Sequence, residues 1–132
     1  MGLRSPSVSK KIKMNNEEMF NNWNVVECLE EIADEAKRIN KWATKLDIPT
    51  VKSTGFLDLY EEVEVLFKKS IKALYTKNKK LAMEVTTSKK TLMMKANKIQ
   101  NKNLYPDINR ILDRIRTMVI HIRNISREVY TS

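Results

Sequence analysis

From Val25 onward, apolar residues return at Val25, Leu29, Ile32, Ala36, Ile39, Ala43 and Leu46, in alternating steps of four and three. That rhythm keeps one face of a helix apolar through successive heptads. Met19, Phe20 and Trp23 extend the predicted helix back toward Glu17, and Asp47-Ile48-Pro49 ends it, because the residue before a proline avoids the helical region. At 1.5 Å per residue such a helix is roughly 45 Å long. Its acids, Glu27, Glu30, Glu31, Asp34 and Glu35, precede its bases, Lys37, Arg38, Lys41 and Lys45, the order that a helix dipole favours.

A linker containing Pro49, Ser53, Thr54 and Gly55 follows. A second stripe, Leu57, Tyr60, Val63, Phe67, Ile71 and Leu74, then runs to the polar turn Lys77-Asn78-Lys79. The third stripe, Leu81, Val85, Leu92, Ala96 and Ile99, is interrupted by threonines and fades at Asn101-Lys102-Asn103. The fourth is unbroken: Pro106 suits a first helical turn, and Ile108, Ile111, Ile115, Met118, Ile122, Ile125 and Val129 hold the heptad almost to the C-terminus. Short connections between long helices make sequence neighbours antiparallel, so these stripes predict an all-α, up-and-down bundle of four helices. Residues 1–16 lack apolar periodicity and read as a flexible basic tail, with a helix cap at Asn15 or Asn16. Residues 17–132 read as one helical domain.

Composition narrows the function classes. At 132 residues, with two glycines and three prolines, the chain suits one packed helical core far better than a turn-rich β-fold. Cys28 is the single cysteine, so neither an internal disulfide nor a second thiolate for a metal exists, which suits a reducing, cytoplasmic setting. No run approaches the roughly 18 apolar residues of a membrane span. The net charge of +9 is uneven: residues 15–66 carry five positive and twelve negative side chains, whereas residues 67–103 carry eleven lysines and a single acid, Glu84.

Lysines around the second and third helices therefore form a basic face, for which we take Lys68, Lys69, Lys72, Lys89, Lys90 and Lys95 as candidate partner-binding residues. Such a face suits a solvated surface, an acidic protein partner or, peripherally, an anionic membrane surface. Non-specific nucleic-acid binding is the alternative function, although few aromatics are available for base stacking and lysine outnumbers the arginine that guanine readout favours. Catalysis has little behind it. His121 is the only histidine, Cys28 has no adjacent base to lower its pKa, and no glycine-rich phosphate loop can be built from Gly2 and Gly55. Glu30 and Asp34, four apart on one helix face, are the only candidate ligands for a hard metal ion, against the reading of an ordinary solvated face.

Residues Glu30 to Lys41 read EEIADEAKRINK, which resembles the ERIADHATNIAE-like signature that ends each three-helix repeat of PhoU-type phosphate-uptake regulators. Residues 59–85, LYEEVEVLFKKSIKALYTKNKKLAMEV, are similar to that family's first helix, its turn and the start of its second, and HIRNISREV at 121–129 resembles the signature's ending. The chain then looks like about one and a third repeats. The resemblance implies a PhoU-like four-helix bundle that acts in regulation of phosphate uptake, through a protein partner in phosphate transport or signalling. Several such proteins bind multinuclear metal clusters through E(D)xxxD motifs on the bundle surface. Here the first motif keeps Glu30 and Asp34, while Arg116 and Ile120, or in another alignment Asp113 and Thr117, stand at the second, and Lys89 and Met93 stand where further acids belong. We therefore expect no cofactor, with a divalent or ferric ion at Glu30 and Asp34 as the lesser alternative. A truncated repeat also leaves the first or last helix without its usual neighbours, which predicts a homodimer.

Overall fold

A computed structural model of the chain describes residues 16–102 and 105–130; the predicted tail, up to residue 15, lies outside the described residues. Five α-helices account for nearly all of the described chain, and no strand occurs among those residues. They are α1 (Asn16–Ala43), α2 (Ile48–Thr54), α3 (Phe56–Thr76), α4 (Lys79–Lys102) and α5 (Pro106–Arg127), followed by a 3-10 turn over Glu128–Tyr130.

The predicted linker thus contains a helix of its own. Asp47 caps it, its carboxylate accepting from the Thr50 N–H at 2.7 Å, and Pro49 sits in the first turn, where a missing N–H costs nothing. Gly55, at φ 80°, ends α2 in the left-handed region and α3 starts at once.

The connection between α3 and α4 takes the same conformation without a glycine. Lys77 has φ 54°, and the following N–H, of Asn78, reaches back to the Ala73 carbonyl at 2.9 Å. The Asn78 side chain then accepts from the Leu81 N–H at 3.0 Å and caps α4. A side chain in the left-handed region is strained, so Lys77→Gly is expected to stabilise the fold by about 0.5–1 kcal/mol, read as a raised urea midpoint at unchanged slope.

Packing is organised around α5. Helices α3, α4 and α5 each pack against the other two, and α1 lies along α5. Every residue of the predicted α5 stripe is buried, together with Leu112, Val119 and Ser126. On α3 the buried line is Phe56, Leu59, Val63, Leu66, Ser70 and Ala73, so the predicted Tyr60, Phe67, Ile71 and Leu74 flank the core and Leu57 is exposed. A small Ser70 tolerates this burial because its hydroxyl donates to the Phe67 carbonyl at 2.7 Å. Tyr130 closes the end of the bundle by donating its hydroxyl to the Lys79 carbonyl at 3.1 Å.

Along α1 most of the predicted stripe faces the core, with Ala36, Ala43 and Leu46 packed against it beside the buried isoleucines, and the difference lies at two positions. Ile32 and Ile39 are buried, Leu29 is exposed, and Glu35, predicted only as one acid of a charged series, is 1% exposed. Cys28 and Trp42 pack beside it against the core. Burial of this carboxylate is made tolerable by guanidinium groups: Arg38 from the same helix at 2.5 Å and Arg114 from α5 at 3.5 Å, both on Oε1. Arg114 in turn lies 5.9 Å from the centre of the Trp42 ring, so α1 is fastened to α5 by a charged and aromatic contact as well as an apolar one.

Candidate functional site

The basic residues follow from helical spacing. Lys68, Lys69 and Lys72 are exposed on α3, and Lys90 and Lys95 are exposed on α4. Lys89 is half-buried: one residue is about 100° around a helix, which turns it inward from Lys90. Lys95 reaches across to Glu62 of α3 at 2.5 Å, and Glu62 and Lys69 both line a shallow groove of about 240 Å³ at the seam of α3 and α4. Leu66, Leu92 and Val65 give that groove an apolar floor and rim, with Ser88 and Thr91 beside them. The structure therefore ties Lys95 to Glu62 and places Lys69 along the groove that Glu62 also lines, while Lys68, Lys72 and Lys90 are exposed on the two helices.

Glu30 and Asp34 are both exposed on α1. Two carboxylates one turn apart do not complete a coordination sphere, and among the described residues no group of three His, Cys, Asp or Glu side chains converges in a way that could hold a metal ion.

A larger, open groove of about 970 Å³ lies where the first half of α1 meets the end of α5. Spacings of three and four residues bring Asn24, Glu27, Cys28 and Glu31 onto one wall, with Glu30 at its edge. His121, Asn124 and Arg127 of α5 form the other wall, and Glu128 and Tyr130 of the 3-10 turn close the end. Sequence reasoning weighs Cys28 and His121 singly; the fold places them in one groove. Nucleophilic chemistry there would need a thiolate, and the surroundings oppose it: burial first, then the charges of Glu128, Glu27 and Glu31, push the Cys28 thiol above its ordinary value. Four carboxylates, Glu27, Glu30, Glu31 and Glu128, stand against the single guanidinium of Arg127 and give the groove a negative potential.

No family model, curated protein or solved structure matches this chain. No helix among the described residues is long and apolar enough to cross a membrane.

Proposed function

We propose that this chain is a PhoU-like regulatory bundle that acts by binding a protein partner of phosphate transport or signalling in the cytosol, without catalysis and without a resident cofactor. The observation that carries the reading is how the Glu30–Lys41 stretch is used. Ile32, Glu35 and Ile39 face inward onto α5, while Glu30 and Asp34, the residues that match the family's surface motif, face outward. An antiparallel up-and-down course of α1, α3, α4 and α5 accords with the two-residue turn at Lys77-Asn78, the Lys95–Glu62 ion pair that links α3 to α4, and the bonds from Arg116 of α5 to Asn97 and Gln100 of α4.

In this reading the exposed lysines of α3 and α4 meet acidic groups on the partner. Affinity capture from nuclease-treated native extract, with the intact chain and with Lys69→Glu/Lys72→Glu, tests it. Recovery of a phosphate-transporter or sensor-kinase component by the intact chain alone is the expected result. Capture of nucleic acid only, lost steeply as salt rises, would replace this reading with the nucleic-acid one.

A further inference from the structure

Helix α1 carries a second stripe that the core does not use. Met19, Trp23, Val26, Glu30, Ala33 and Lys37 recur in steps of four and three, all are exposed, and they run along the side of α1 turned away from Ile32, Glu35 and Ile39, with Glu30 also at the edge of the α1–α5 groove. Its apolar end is unusually bare for a folded chain: Trp23 is 62% exposed, Met19 55% and Val26 45%. Trp23 is also held in place, its indole N–H donating to Glu27 at 3.0 Å.

We propose that this stripe is the contact surface for a second copy of the chain, with the two α1 helices packed antiparallel about a two-fold axis near Ala33. Charge decides the orientation. Exposed acids, Glu27, Glu30 and Asp34, occupy the middle of α1, and the exposed bases Lys37, Lys41 and Lys45 follow toward and beyond its C-terminal end. Parallel pairing sets acid against acid and base against base; antiparallel pairing sets each acid half against the other copy's basic half.

The register follows from the same positions. With Glu30 of each copy opposite Lys37 of the other, the axis falls beside Ala33, whose small side chain lets the helices approach closely. Val26 then lies over the aliphatic stem of Lys41 in the other copy, and Trp23 lies over Thr44. The contact is self-complementary, so every favourable pair occurs twice. This inference rests on α1 alone and stands whether or not the phosphate-regulatory reading does.

Sedimentation or light scattering of the full chain over a concentration series tests it. The native chain is expected to dimerise. Glu30→Lys and Lys37→Glu, each at an exposed position and each doubled by symmetry, are expected to weaken the dimer about tenfold singly, and the double variant is expected to restore it. Unchanged helical circular dichroism in all three variants separates loss of association from loss of fold. A native chain that stays monomeric at high concentration overturns the proposal. So does a dimer indifferent to the single substitutions, or one that the double variant fails to restore.

Discussion

Replacing Ile122 by alanine is expected to cost about 3–4 kcal/mol of folding stability, a large effect for the truncation of one aliphatic side chain. Ile122 is fully buried on α5, the helix against which α1, α3 and α4 all pack. Removing its branched end leaves a cavity that several rigid neighbours line, so the site cannot collapse cheaply and the loss exceeds the transfer term alone. Domains of this size are held together by only about 5–15 kcal/mol, so the variant should unfold at a much lower urea concentration. Ile120→Ala supplies the control. That residue lies two positions away on the same helix but is exposed, and its truncation is expected to change stability by about 0.5 kcal/mol or less. Equal urea midpoints for the two variants would show that α5 is not the shared core element.

The contrast between Ile122 and Ile120 is legible in the spacing of residues alone, because α5 obeys its heptad without exception. A helix surrounded by neighbours needs apolar residues wherever it is touched, and one-dimensional periodicity records that need well. Helix α3 shows where the signal blurs. Its buried line runs through Ser70 and Ala73, residues too small or too polar to stand out in a hydrophobic stripe, while the larger Tyr60 and Phe67 flank the contact.

Other features depend on partners distant in sequence, and these no local pattern reveals. Glu35 reads as one more surface acid until Arg114, seventy-nine residues away, is brought to it. Cys28 and His121 are individually bland, and their common groove exists only once α1 lies on α5. The short helix α2 is a different case. Its signals, Asp47 as cap and Pro49 in the first turn, are present in the sequence, but the same proline also ends α1, and one residue type serves both as a stop and as a start. Lysine content likewise marks α3 and α4 as basic, yet it does not separate the exposed Lys90 from the half-buried Lys89 beside it.

The long-range contact at Glu35 leads to a second strong expectation: Arg114→Ala should destabilise the chain by about 2–3 kcal/mol, and by more than Glu35→Met does. The asymmetry comes from what each substitution leaves behind. Without Arg114, a carboxylate whose side chain is 2% exposed keeps only Arg38 on Oε1, while its other oxygen, Oε2, is buried with no hydrogen-bond partner. Breaking a buried pair in this way costs about 3–5 kcal/mol where both members are inaccessible; the partial exposure of Arg114 and the persistence of Arg38 place this case lower. Glu35→Met instead removes the charge that needs a partner and returns apolar volume to the α1–α5 contact, so its cost should be about 1 kcal/mol or less. In the double variant most of the penalty of Arg114→Ala should vanish, because no buried charge remains to be stranded, and the resulting non-additivity measures the coupling directly. Urea unfolding followed by tryptophan fluorescence is well suited to the test, since Arg114 lies against Trp42 and the same interface reports its own opening. If Arg114→Ala proves as mild as a surface substitution, the carboxylate is not what fastens α1 to α5. If instead Glu35→Met is the costlier of the two, the pair contributes net attraction beyond its desolvation, and α1 is held by charge more than by Ile32 and Ile39.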